Sequence, residues 1–433
     1  MPRTATRREA LKRSALAGAA FVLGARIVRA GEASPSEKLD LAFVGIGGRG
    51  RANLDALARE ATNVVALSDV DDERAGDAYL VYSGAKRYRD FRRLFDDLGA
   101  KIDGVVVSTP DHTHFHPAMA AVELGKHLFL EKPMAHSVAE ARRLARRAAE
   151  KKVATQLGVQ RHALPNVHRV VELIRARAIG EVEECHAWIG GDRGMPAIPA
   201  EFPPVPPHLD WDLWLGPAAE RPYSPAYVPY NWRFWWDFGT GETGNWGCHI
   251  LDIPFWALEL GAPARVESFG PPPHPETSPK WMEVRYEFPA RGGRSPLRLR
   301  WYHAKDGPPI LRERGLPRFD SGVLFVGRDG MLLADFEKRK LYPEDRFRDF
   351  EPPPKSIPDS PGFYREWVEA AKGRGSATCD FAYSGPLAEA VLLGNAAYRA
   401  GEAFSWDAEA LEPRGAPGAK RFLQTPYRKG WEL

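Results

Sequence analysis

Apolar and polar residues follow two different patterns along this chain. Between residues 39 and 160, short apolar runs at 39–44, 64–67, 104–108, 127–130 and 153–157 predict buried strands. The stretches 51–60, 117–124 and 138–150 between them predict helices. Strands alternating with helices argue for a parallel sheet with crossover helices. From about residue 181 the pattern changes. Runs at 183–190, 265–269, 282–288, 297–302, 321–326 and 331–336 predict the strands of a second sheet, and late helices are predicted over 362–371 and 385–399. A Pro- and Trp-rich loop, 196–238, lies between the two regions.

The first thirty residues read differently again. Arg7-Arg8 lies in a T-R-R-x-x-L-K frame, followed by an apolar run, 15–23, too short to span a bilayer. Small residues at 28–30 and 31–33 suit cleavage. The expectation is a twin-arginine leader over residues 1–30 and a periplasmic mature protein. That route carries folded proteins, so a cofactor can be loaded before export. No cysteine stands near the cleavage sites, so a stable membrane anchor is not expected.

Composition changes this picture in one respect. The formal charge of +3 belongs to the leader: residues 1–30 hold seven basic groups and one acid, leaving 53 basic against 56 acidic groups. A slightly acidic mature chain has no electrostatic footprint for nucleic acid. The cysteines, Cys185, Cys248 and Cys379, are far apart and in no metal-binding spacing, so they are expected to be free thiols.

The first strand runs into Gly45-Ile46-Gly47-Gly48-Arg49-Gly50, and a helix follows. That context suits a dinucleotide turn. Gly45 permits the turn, Gly47 lets the backbone approach a pyrophosphate, and Gly50 lets the helix pack closely. The helix N-terminus offers N–H groups to the phosphates. Asp69 ends the next predicted strand, where a carboxylate can accept both ribose hydroxyls and repel a 2′-phosphate. NAD is therefore expected over NADP, although Arg74 nearby keeps NADP open as the less favoured cofactor.

Three further motifs follow: Thr109-Pro110-Asp111-His112-Thr113-His114, Glu131-Lys132-Pro133, and Gly247-Cys248-His249-Ile250-Leu251-Asp252 in a helix predicted over 244–260. With Trp211-Asp212-Leu213-Trp214-Leu215-Gly216-Pro217, Trp236-Asp237-Phe238-Gly239-Thr240-Gly241 and Tyr427-Arg428-Lys429-Gly430-Trp431, this set resembles the exported bacterial branch of the glucose–fructose oxidoreductase / inositol dehydrogenase (Gfo/Idh/MocA) family. The resemblance implies an α/β Rossmann domain over 38–160 and an α+β domain over 161–433 with an open, mostly antiparallel sheet. Helix 385–399 would pack back on the first domain. The C-terminal domain would bind substrate and pair subunits into a homo-oligomer, a dimer or tetramer.

The resemblance implies a cofactor site running along Gly45 to Gly50, Asp69, Thr109, Pro110, His114, Glu131 and Lys132. Lys132 would lie beside the nicotinamide and the reacting hydroxyl, and His249 would act as general base or acid. Asn245, His249, Asp252 and Trp256 share one face of the predicted helix. Many family members carry an aspartate where Asn245 stands, and asparagine cannot take a proton. The Lys–Asp–His relay therefore lacks its carboxylate. Asn245 and Asp252 are expected to face substrate, as is Trp236, whose neighbours Tyr230, Trp232 and Trp235 suit either a glycan platform or a buried core. Arg161 suits either a substrate hydroxyl or acid, or an interdomain salt bridge. His112, His114 and His116 are expected on a loop before a helix rather than around a metal, and no metal is expected.

The activity implied is oxidation of a sugar, cyclitol or glycoside hydroxyl with tightly held NAD. The alternatives are redox-neutral glycoside cleavage through oxidation and elimination, and a nucleotide-loaded carbohydrate-binding protein without catalysis.

Overall fold

The run Leu39–Val44 forms β1, whose last four residues are fully covered, as expected of a strand enclosed on both faces. It is the centre of a six-stranded parallel sheet in the computed structural model, which describes residues 37–433. The leader expected over residues 1–30 lies outside the described residues. The sheet order is β3-β2-β1-β4-β5-β6, with β2 (Thr62–Ser68), β3 (Lys86–Tyr88), β4 (Gly104–Val107), β5 (His127–Leu130) and β6 (Thr155–Leu157). The order reverses between β1 and β4, where parallel sheets open a crevice at the strands' carboxyl ends.

The crossovers are α1 (Arg49–Leu57), α2 (Asp72–Val81), α3 (Phe91–Leu98), α4 (Phe115–Glu123) and α5 (Val138–Lys151). Local chemistry fixes their starts. Asp71 accepts from the N–H groups of Glu73 and Arg74 at the head of α2, and Asp90 caps α3. Ser137 and Glu140 form a reciprocal capping box at α5. α1 differs, because Gly48 precedes it and no side chain caps it.

After α6 (Pro165–Arg175) the chain enters a nine-stranded sheet, order β13-β12-β11-β7-β10-β9-β8-β14-β15. Its first strand in the chain, β7 (Val182–Ile189), lies inside the sheet, paired parallel with β10 (Leu297–His303) and antiparallel with β11 (Ser321–Gly327). Every other neighbouring pair is antiparallel: β8 (Arg265–Phe269), β9 (Met282–Phe288), β12 (Met331–Ala334), β13 (Arg339–Tyr342), β14 (Phe404–Asp407) and β15 (Glu412–Arg414) complete it. Alternation sorts the faces: Cys185, Ala187 and Ile189 enter the main core, whereas Trp188 joins Tyr302, Leu324 and Leu333 in a separate cluster.

Two short helices, α7 (Trp211–Leu215) and α9 (Pro309–Glu313), and three longer ones, α8 (Cys248–Leu258), α10 (Phe363–Ala371) and α11 (Phe381–Ala400), complete the fold. α11 packs against α5 and β8, bridging the two sheets, and α8 packs on α6, β7 and β11. Loop 196–238 is more ordered than its composition predicts. It contains α7 and a 3-10 turn, Asn231–Phe234, and builds its own core from Trp214, Tyr227, Trp232, Trp235 and Phe238. All three cysteines are free and buried.

Candidate active site

One cleft of about 890 Å³ runs from the glycine turn after β1 to the head of α8. At the turn Gly45 has φ 79°, and a Cβ there would lie 2.8 Å from the Ser108 carbonyl carbon. A Cβ on Gly50 would lie 2.0 Å from Gly45 O, so α1 can close on the turn only without a side chain. Gly47 and Gly48 line the cleft beside the Arg74 side chain, and α1 presents its uncapped N-terminus. Thr109 Oγ1 is buried there with no protein partner. Glycines that leave room for a phosphate, an open helix terminus and an unmatched hydroxyl all fit a dinucleotide.

Asp69 lines the cleft at the end of β2. Its Oδ2 accepts from Ile46 N at 2.8 Å and its Oδ1 from Asp71 N at 3.1 Å. Burial raises its pKa, and those two N–H groups oppose the rise. Two residues expected to touch cofactor do not line the cleft: Ile46, whose side chain is fully buried, and Gly50. Both shape the turn from behind. Arg49 crosses the cleft, donating from Nε to Glu131 Oε1 at 3.3 Å and from Nη2 to Tyr364 OH at 2.8 Å. Glu131 also accepts from Asn53 Nδ2 and Gln160 Nε2, which fixes its carboxylate in the floor.

Pro110 and His114 line the same wall. His114 Nδ1 lies 2.7 Å from Pro133 O and its Nε2 2.8 Å from Thr109 O. The neighbouring histidines diverge. His112 contacts Phe238 O and Trp214 O, and His116 contacts Trp431 O.

At the far end Lys132 projects from the end of β5, and the Lys132–Pro133 peptide is cis. Its Nζ donates to Asn245 O at 2.6 Å and lies 3.4 Å from Asn245 Oδ1. That carbonyl is exposed by a wide π turn, Thr243–Gly247, where an α-helix was expected from residue 244. Residues inside such a turn leave the regular ladder and free a carbonyl for a side chain. Asn245 Nδ2 in turn donates to Glu242 Oε2 at 3.3 Å. Glu242 is buried and paired with Arg193. A buried carboxylate thus lies one turn before Asn245, behind it and not in the cleft lining, at a residue the motif does not reveal.

Burial lowers the pKa of Lys132, against the opposing pull of Glu131 and Asp111. His249 is pushed well below the usual histidine range, first by burial and then by the charges of Lys132, Arg161 and Arg49. Part of its ring is open to the cleft while the surrounding protein excludes most water. Nδ1 is enclosed and without a partner, so the open edge is that of Nε2.

Two other expectations are corrected. Asp252 shares the helical face of His249 but does not reach the cleft. His162 Nδ1 lies 3.0 Å from both its oxygens, and Tyr383 OH donates to Oδ1 at 2.5 Å. Three residues advance a helix by about 4.5 Å, so only the first turn of α8 meets the cavity. Trp256, deeper still, stacks on His162 at 3.8 Å. Trp236 is buried, donating to His274 O with the Arg399 guanidinium 4.9 Å from its ring. Tyr230 and Trp232 line the cleft instead, and Trp235 is core. Arg161 lines it too, over Phe336 at 4.3 Å and Trp246 at 5.3 Å, with no ion-pair partner among the described residues. Sequence reasoning missed Arg193, Arg233 and Trp246, which join them. The one available signal was the run of aromatics around 230–236.

A family model described as an oxidoreductase family with an NAD-binding Rossmann fold matches residues 39–159, and a model of the family's C-terminal alpha/beta domain matches residues 186–294. Together they take in just over half of the chain. Inositol 2-dehydrogenase 1 of Saccharopolyspora erythraea is 34% identical over 143 residues, 32% of this chain and 42% of that protein. The chain spans less than half the length of the first curated relatives it matches. The WlbA dehydrogenase from Bordetella pertussis, solved with NADH and UDP-GlcNAcA, superposes with a TM-score of 0.62 at 15% identity, covering 86% of this chain and 99% of that one. Aldose-aldose oxidoreductase from Caulobacter crescentus, complexed with glycerol, superposes with a TM-score of 0.57 at 15% identity, covering 85% and 99%. At such identity the superpositions speak to the fold.

Proposed function

Because the chain belongs to the Gfo/Idh/MocA oxidoreductase family, we propose that it is an NAD-dependent oxidoreductase acting on a hydroxyl of a sugar or cyclitol outside the cytoplasm. The observation that carries this is the meeting of Lys132 and His249 at one end of the cleft whose other end is the glycine turn. NAD, when bound, supplies the hydride acceptor. His249 Nε2 takes the hydroxyl proton, and the depressed pKa keeps the ring in the neutral form that can do so. Lys132 Nζ, aimed by Asn245 O, hydrogen-bonds the same substrate oxygen as it becomes a carbonyl. The carbinol carbon gives up its hydrogen as hydride. Glu242, through Asn245, holds the turn on which Lys132 rests.

Export rests on the Arg7-Arg8 motif. Outside the cytoplasm free dinucleotide is scarce, so the cofactor stays bound and the hydride returns to a second sugar. Assembly into a dimer or tetramer belongs to the same proposal.

In Lys132→Ala, hydride transfer to the bound nucleotide is expected to fall by ~10²–10⁴ while the nucleotide is retained. Unchanged turnover would remove Lys132 from the chemistry. A second reading, redox-neutral glycoside cleavage, is favoured by Asn245, which stands beside Lys132 and leaves the Lys–Asp–His relay without a carboxylate in the cleft. Deuterium uptake from heavy water together with bond cleavage would select it, and a stable keto-sugar would select the first.

A further inference from the structure

Six arginines line the cleft: Arg49, Arg74, Arg89, Arg161, Arg193 and Arg233. Three are matched by acids: Arg49 by Glu131, Arg89 by Asp72 and Arg193 by Glu242. Arg74 sits against the glycine turn, where a phosphate would neutralise it. Arg161 and Arg233 remain. Neither has a carboxylate within salt-bridge distance among the described residues. Both are held by aromatic rings: Arg233 lies over Trp232 at 4.2 Å and Tyr230 at 4.3 Å, and donates to Tyr230 O at 3.0 Å, while Arg161 lies over Phe336 and Trp246.

Their position is specific to the reaction end. The charge of Arg233 bears on Lys132, and that of Arg161 bears on His249. They come from separate elements, the 3-10 turn Asn231–Phe234 and the one at Gln160–Ala163. Burial disfavours the charge of each, yet a guanidinium stays protonated at any ordinary pH. Arg233 is largely desolvated and feels Asp111 and Glu242 only at a distance, and half-buried Arg161 likewise feels Glu337; an anionic ligand in direct contact would offset the cost that remains. A neutral sugar would need neither. Stacking leaves donor groups of both guanidiniums in plane and available, on Arg233 those other than the Nη1 that meets Tyr230 O, and a carboxylate can take two parallel hydrogen bonds from such an edge.

We infer that the substrate carries a carboxylate, as a uronic acid or uronoside does, and that Arg233 and Arg161 recognise it beside Lys132 and His249. The inference rests on the oxidoreductase reading for the identity of the ligand as a sugar.

The test is calorimetric titration of the purified, nucleotide-loaded protein with glucuronate and galacturonate, against glucose, galactose and a sulfated glucose. Nicotinamide fluorescence is followed in parallel. Uronates are expected to bind ~10-fold or more tightly than the neutral sugars, because hydrogen bonds between a guanidinium and a carboxylate are charge-assisted. The preference should shrink with added salt. It should collapse in Arg233→Gln and in Arg161→Gln, with thermal melting and retained nucleotide showing that each variant is folded. Equal affinity for acidic and neutral sugars, or a preference that survives both variants, would overturn the inference. Preference for the sulfated sugar would overturn the carboxylate assignment. If uronates bind but no sugar alters the nicotinamide signal, the inference stands and the oxidoreductase reading falls. If neutral sugars alone react, the reverse holds.

Discussion

His249 sits where burial, the ammonium of Lys132 and the guanidiniums of Arg161 and Arg49 all disfavour its charged form. An unshifted histidine base would protonate, and activity would fall, as pH drops through 6.5. With the folded pKa depressed, the neutral ring persists below that point. Single-turnover hydride transfer is therefore expected to hold its rate down through pH 6.5 and to lose it only well below. A limb at 6.5 that disappears in His249→Asn would mean that solvent reaches the ring freely. At this scale the sequence was a good guide to which residues converge and a poor one to depth. Lys132, Asn245 and His249 meet as their motifs imply. Asp252 does not join them, because helical periodicity gives direction around an axis but not distance along it.

The element that organises the reaction end is the π turn leading into α8. It turns Asn245 O toward Lys132 and places Glu242 behind Asn245. Behind it, Asp252 ties α8 to the turn bearing His162 and to α11 through Tyr383. Asp252→Ala would leave His162 Nδ1 and Tyr383 OH buried without an acceptor, at about 1–3 kcal/mol for each unsatisfied group. Urea unfolding should show that loss. An intact stability with abolished turnover would instead place Asp252 at the substrate. Elements with strong apolar runs were legible, as β1, β5, β8 and β9 show. α2 was missed because Leu80 and Val81, the apolar residues that end it, face solvent at 75% and 61% exposure. β3 was missed because exposed Lys86 and Arg87 and half-covered Tyr88 carry no period. The shape of loop 196–238 depends on contacts between its own aromatic rings, which no local pattern encodes.

Across the whole molecule, folding encloses several neutral histidines. Burial lowers His112 to about 3 and His303 to about 4 from an ordinary 6.5. Below pH 6.5 the unfolded chain binds protons that the folded chain does not, so stability present above 6.5 is lost as pH falls. Each such group contributes about 1.4 kcal/mol per pH unit between its two pKa values. Glu140, raised to about 7 from 4.5 by burial, acts in the opposite sense, its stabilisation present below 4.5 and lost as pH rises to 7. Among the described residues three carboxylates, Asp69, Glu140 and Glu242, are raised in this sense against seven histidines that are lowered, so unfolding free energy is expected to decline between pH 6.5 and 4, and a flat profile there would contradict the burial described.

On the proposed reading, this cleft holds NAD tightly enough for a closed hydride cycle. The direct measurement is on purified protein of residues 31–433, dialysed extensively, denatured, and analysed by mass for released nucleotide. Close to one NAD or NADH per chain is expected. A protein that emerges empty, and binds added NAD only weakly, would contradict it.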